Sequence, residues 1–384
     1  MISRERLVTT GITTAAAATV ALVLWLKPWA TDNIVANEQP DPIEVHQPAG
    51  KPGHMVDIVF AVDTTGSMGG LLDGAKRTVW SIANQVRNLD KDADLHVGLV
   101  AYRDLGDEYV TRDFALTSDL DAMYQELTGY QASGGGDVPE DVDAALYDAV
   151  HKMKWRTGAK KIVFLVGDAP PASRGEVAKF EQTAKVAANQ QIVINTIRCG
   201  QDGETASAWQ QIAMIGNGAF STIEQNGGVQ QIATPYDDKM AQLAAEIDST
   251  TIIYGTAEAR RHYAEKTAAV TATAPAAAKA DRGAYYAKGG GVAAAPAEDV
   301  VGGVATGAMN IDGLDEGQLP DEWQGKSKDE IKKDVEERAT KRATAQKEIA
   351  DLAKKRDEYI KANQKDGEGG FDAVVKQTLA TQLK

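Results

Sequence analysis

The chain has one cysteine, Cys199, among 384 residues. A single thiol excludes an internal disulfide framework, a cysteine-rich zinc site and an iron–sulfur cluster. Histidine is scarce, with five in all, and His46, His54, His96, His151 and His262 show no metal-ligand spacing. Aromatic residues make up only 6%. Lys and Arg number 41 against 55 Asp and Glu, a net charge of −14. Phosphate binding needs clustered cations, so nucleic acid is not expected as a partner. No Gly-Lys-Ser/Thr follows either Gly-rich turn, which removes a phosphate-binding loop. What is present suffices for a core: 43% of the residues are hydrophobic. The length allows two or three folded units at about 150 residues each, and 36 glycines point to loose sequence between them.

Residues 7–26 (LVTTGITTAAAATVALVLWL) carry no charge. As a helix rising about 1.5 Å per residue they reach roughly 30 Å, the thickness of a hydrocarbon core. Arg4 and Arg6 precede them and Lys27 follows. An uncleaved anchor is the first expectation; a cleaved signal peptide and a helix outside any membrane stay open. Pro28 and Trp29 before Ala30 make a poor cleavage site. Positive charge at the extreme N-terminus keeps that end in the cytoplasm. The bulk of the chain is then expected outside it, in a bacterial periplasm or at the cell surface. Residues 31–53, polar and Pro-rich, read as a linker.

From 54 to 256 short β-branched runs alternate with amphipathic stretches. The runs are DIVFAV (57–62), LHVGLVAY (95–102), KIVFLVG (161–167), QIVINTIR (191–198) and the weaker AFSTIE (219–224). Between them lie helix-length segments over 71–89, 139–153, 175–190 and 204–216. Apolar strands separated by helices imply a parallel sheet covered on both faces. YVTRDFAL (109–116) follows its predecessor with no helix between, so it reads as an antiparallel edge strand. The expected fold is α/β, a doubly wound, mostly parallel six-stranded sheet. Trp80, Trp155 and Trp209 read as packing residues, and Cys199 as a small buried hydrophobe.

Ligands of such sheets bind at the carboxyl ends of the strands. After the first strand comes Asp63-Thr-Thr65-Gly-Ser67; after KIVFLVG comes Asp168-Ala-Pro-Pro; Ser133-Gly-Gly-Gly-Asp137 precedes a helix. Asp63, Thr65 and Ser67 are spaced at i, i+2 and i+4, where a turn lets alternate side chains converge. A carboxylate and two hydroxyls are hard oxygen donors, suited to Mg2+ or Mn2+. Uncharged hydroxyls leave such an ion able to accept an acidic oxygen from another molecule. The plainer reading is that these residues cap the helix that follows.

Asp63-x-Thr65-x-Ser67 after an apolar strand resembles the metal-ion-dependent adhesion site of von Willebrand factor type A domains. The resemblance covers about 55–255, and GGGD-x-PE with GDAPP resembles a bacterial and alpha-kinase-associated branch. It implies a metal set of Asp63, Thr65, Ser67, Asp137 and Asp168. Thr65 stands where the family commonly has Ser, and Asp137 where it has Thr. It further implies a non-enzymatic module, anchored to a membrane, that grips a carboxylate of a partner protein.

Two enzymes compete on the same loops. Ser67, Asp168 and His262 occur in the order of an α/β-hydrolase, but Thr65 stands where the nucleophile turn needs Gly. An aspartyl-phosphate phosphotransferase would use Asp63 as nucleophile, with Thr65 where its general acid belongs. A membrane-tethered scaffold with a vestigial metal site is a third expectation. Residues 257–321 read as an Ala/Gly-rich linker and 322–384 as a charged helical region, opened by a capping box at Ser327–Glu330. Its last helix presents Phe371, Val374, Val375, Leu379 and Leu383 on one face, which needs a partner inside or outside the chain.

Overall fold

The computed structural model describes residues 53–172, 174–288, 298–363 and 369–384. The anchor expected over 7–26 and the linker over 31–53, except Gly53, lie outside the described residues. Among the described residues no helix is long and apolar enough to cross a membrane.

Six strands form where the β-branched runs lie: β1 Met55–Asp63, β2 Asp94–Tyr102, β3 Thr111–Thr117, β4 Lys160–Gly167, β5 Ile192–Cys199 and β6 Asn217–Ile223. Their order is β3-β2-β1-β4-β5-β6. All neighbours are parallel except β2 and β3. All but the first residue of β1 are buried, as a central strand covered on both faces requires.

One face carries α1 (Gly69–Leu89) and α2 (Leu120–Gly129). The other carries α3 (Val142–His151), α4 (Phe180–Asn189) and α5 (Gly203–Ile215), with Trp209 and Phe180 buried against Val163 and Leu165. The chain leaves β1 toward β2 on one side and later returns to β4 on the other. The winding therefore reverses at the carboxyl ends of β1 and β4, which is where such sheets open a crevice.

Beyond β6 come α6 (Asp237–Asp248), α7 (Ala257–Thr273), α8 (Ala276–Lys288), α9 (Val300–Thr306), α10 (Lys328–Asn363) and α11 (Phe371–Gln382). The linker expected over 257–321 is corrected in its described residues, which hold three of these helices. Alanine is the best helix former, and here its small side chain lets helices approach closely. Ala277, Ala278, Ala280 and Ala284 of α8 are buried. A Cβ on Gly283 would stand 3.2 Å from Ala244 of α6 and 3.3 Å from Ile349 of α10. The capping box forms as expected: Ser327 N–H and Oγ both donate to Glu330 Oε2, at 2.8 and 2.7 Å. The apolar stripe of α11 finds its partner within the chain. Phe371, Val375 and Leu379 are buried in the sheet's core, and the Phe371 ring lies 6.0 Å from that of Phe60 in β1.

Candidate metal centre

Asp63 ends β1, and its carboxylate is sealed from solvent. Oδ1 accepts the Thr65 N–H at 2.8 Å and the Thr65 hydroxyl at 2.7 Å. Oδ2 is buried with no hydrogen-bond partner. Burial, with the charge of Asp168 adding to it against the Thr65 bonds, lifts the Asp63 carboxyl to about 7. Thr65 Oγ1 lies 3.4 Å from Ser67 Oγ, and Ser67 is exposed. The intervening side chain, Thr64, turns away and donates to the Tyr102 carbonyl at 3.0 Å. Alternation in the turn thus puts Thr65 beside Asp63 and Ser67 at the mouth.

Asp168 follows β4. Because Val62 pairs with Val166, Asp63 and Asp168 leave adjacent parallel strands on one rim. Asp168 Oδ2 accepts from Gln225 Nε2 at 2.5 Å. Gly167 is packed tightly between them: a Cβ there would lie 3.0 Å from Asp63 Cβ and would clash with the Tyr102 hydroxyl.

The Gly-rich loop closes the third side. Ser133 N–H donates to the Thr64 carbonyl at 3.1 Å, and Gly66 N–H to the Gly134 carbonyl at 3.3 Å. Gly134 and Gly135 have φ of 81° and 79°, a left-handed backbone that glycine adopts freely. Asp107, from the β2–β3 turn, accepts the Gly135 N–H at 3.1 Å through Oδ2.

Asp137 is not brought to Asp63. It is exposed and holds Arg174, whose Nη1 and Nη2 donate at 2.8 and 3.0 Å. Arg174 Nη2 also reaches Asp104 Oδ2 at 2.5 Å and the Pro139 carbonyl at 3.0 Å. The Arg174 guanidinium accordingly holds the Asp137 carboxyl below its ordinary range. The carboxylate that turns inward is Glu140, which the sequence reading passed over. It is 3% exposed, and its Oε2 has no hydrogen-bond partner. Burial, then the charges of Asp63, Asp104, Asp107 and Asp168, raise it to about 9.

A von Willebrand factor A domain family model matches residues 57–235. Residues 57–235 form a von Willebrand factor A domain. Alpha-protein kinase vwkA of Dictyostelium discoideum is 29% identical over 117 residues, 30% of this chain and 18% of that protein. Von Willebrand factor A domain-containing protein 7 of Homo sapiens is 35% identical over 114 residues, 30% of this chain and 12% of that protein. The chain spans less than a fifth of the length of the curated relatives it matches. Among solved structures, BatB from Bacteroides thetaiotaomicron is 18% identical, with 44% of this chain and 90% of that one covered and a TM-score of 0.34. The mussel proximal thread matrix protein 1, with a zinc-occupied metal site, is 18% identical over 46% of this chain and 43% of that one, at a TM-score of 0.37.

The rim of this von Willebrand factor A domain suits a hard divalent cation in its chemistry. Asp63 and Glu140 each present a buried oxygen that no donor satisfies, beside two hydroxyls. Such atoms are costly to bury unless something charged pairs with them. Thr65 and Ser67 offer neutral oxygens, and Asp168 stands on the same rim as a third carboxylate. Among the described residues, His54, Asp90 and Asp92 are the group that brings three ligand atoms within 4.8 Å of one another. They stand at the opposite end of β1, where His54 Nδ1 and Asp90 Oδ2 already pair at 2.7 Å. His262, the base that a hydrolase would need, is exposed on α7 and makes no hydrogen bond to Ser67 or Asp168.

Proposed function

We propose that the domain is a protein-binding module that grips an acidic side chain of a partner through Mg2+ or Mn2+ held on this rim. The chain would be tethered to a membrane by residues 7–26, with its bulk outside the cytoplasm. The observation that carries this reading is the unpartnered Asp63 Oδ2, buried beneath the Thr65 and Ser67 hydroxyls at a rim open to solvent. When bound there, the cation supplies a Lewis-acidic vacancy for an oxygen ligand. Asp63 is held in place by Thr65, and Asp168 by Gln225, so the donors are arranged before a partner arrives. That saves ordering entropy on binding. Two large exposed hydrophobic residues flank the rim, Leu105 on the β2–β3 turn and Val138 on the Gly-rich loop. They supply apolar surface of the kind that binding sites use.

The test is metal-dependent capture. The full chain, immobilised in Mg2+, should retain its partner from a membrane-fraction extract and release it into EDTA. Asp63→Ala should capture nothing while keeping its circular dichroism spectrum. Retention that persists in EDTA would sink the reading.

A further inference from the structure

Two carboxylates compete for the place at the Gly-rich loop, and only one is buried toward Thr65. We propose that Glu140 is the ligand that this loop gives the cation, while Asp137 is a strut that pins the loop through Arg174. The proposal rests on the cation reading above.

Glu140 is fixed by its own backbone. Its N–H donates to the Pro170 carbonyl at 3.0 Å, and its carbonyl accepts the Ala172 N–H at 2.8 Å. A short parallel bridge, Glu140 to Pro171, therefore ties it to the loop that begins with Asp168. Asp141, the next residue, caps α3 by accepting the Ala144 N–H at 2.9 Å. The Glu140 side chain lies on the Thr65 side of the Gly-rich loop: a Cβ on Gly135 would stand 3.1 Å from Thr65 Cβ and 3.2 Å from Glu140 Oε1.

Burial separates the two acids. Glu140 is 3% exposed, yet its Oε2 has no donor. The same holds for Asp63 Oδ2 on a fully buried residue. Two unpartnered carboxylate oxygens on neighbouring loops suit a positive charge on this rim, because an unpaired buried carboxylate is strongly disfavoured. Asp137 has no such need. Its side chain is 55% exposed and already bidentate with Arg174. Arg174 also ties it to Asp104, so removing the Asp137 charge loosens a loop but leaves the inward oxygens where they are.

The proposed donors are then Asp63 and Glu140 with two hydroxyls, and Asp168 stands on the same rim with its Oδ2 accepting from Gln225. Three acidic groups on one rim favour retention of a dication over release between binding events. They also leave it less electrophilic than a site with a single carboxylate.

Manganese titration of the full chain, followed by calorimetry, separates the roles. Glu140→Gln keeps the shape and removes the charge. It should weaken Mn2+ binding by roughly tenfold or more, the scale on which altered metal surroundings act. In EDTA the same variant should melt no lower than the parent, because Gln keeps the shape of the side chain and brings no charge into the buried position. Asp137→Asn should bind Mn2+ within about twofold of the parent, since a screened surface pair contributes little. The reverse order, with Asp137→Asn weakened and Glu140→Gln unchanged, overturns the assignment and leaves the cation reading standing. A parent chain that takes up no Mn2+ overturns both.

Discussion

At the scale of single residues, Asp63 and Gly167 show how closely the strand ends are packed at the rim. Asp63 is buried, and one of its oxygens has no donor. A ligand that binds only the folded state at about a hundred times its dissociation constant stabilises it by about 2.7 kcal/mol. Thermal unfolding in saturating Mg2+ should therefore occur well above that in EDTA. Asp63→Asn should abolish the difference without lowering the EDTA midpoint; equal midpoints for the parent in Mg2+ and EDTA would refute the cation reading. Gly167→Ala drives a methyl group against the Tyr102 hydroxyl and Asp63. Overpacking of this kind costs about 1–3 kcal/mol, to be read from urea midpoints. The loops that carry Asp63, Thr65, Ser67 and Asp168 were legible because each follows a buried β-branched run. The choice between Asp137 and Glu140 was not. They are three residues apart on one loop, and which turns inward is decided by partners distant in sequence, Arg174 on one side and Pro170 with Ala172 on the other.

Among the elements, α11 has the clearest consequence. Its Phe371, Val375 and Leu379 enter the same core as Phe60 and Phe164 of the sheet. The helix is also tied at both ends: Phe371 N–H donates to the Gly227 carbonyl at 2.8 Å, and Asn195 and Gln382 exchange hydrogen bonds through their side-chain amides. Leu379 is fully buried, so Leu379→Ala should destabilise by about 2–5 kcal/mol through lost burial and a residual cavity. Urea denaturation measures this, and a change below about 0.5 kcal/mol, usual for surface sites, would mean that α11 is not part of the core. The stripe on α11 could be read from the sequence because its period is helical and its residues are large. α8 could not, because its buried face is mostly alanine, and alanine-rich sequence looks the same in a packed helix as in a loose linker. The six strands were legible for the opposite reason. Runs such as DIVFAV carry too much branched apolar surface to be stable anywhere but in a covered sheet.

For the described chain beyond residue 53, buried ion pairs join the later helices to one another and, with apolar contact, to the sheet layer. Arg282 of α8 donates to Asp121 of α2 at 2.6 Å and to Asp248 of α6 at 2.9 Å. Arg356 of α10 reaches Asp237 of α6 at 2.6 Å and Asp281 of α8 at 2.8 Å. Arg342 pairs with Asp299, and Lys266 of α7 with Asp119. Each guanidinium among these is nearly sealed from water. Removing one partner of such a pair leaves a buried uncompensated charge and costs about 3–5 kcal/mol. Arg282→Ala strands two carboxylates and should show that full cost, whereas Arg261→Ala, on an exposed pair, should change stability by less than about 1 kcal/mol. Because Arg282 joins α8 to Asp121 of α2 while also holding Asp248 of α6, and Lys266 joins α7 to Asp119 before α2, loss of the later helices exposes charges on both sides at once. Calorimetry of the full chain should accordingly show the sheet and α6–α11 unfolding together, with the calorimetric and van't Hoff enthalpies of that transition equal. Arg282→Ala should shift that transition down as a whole. If it instead split off a separate low-temperature step, the later helices would be an appendage and the buried pairs would not couple them to the sheet.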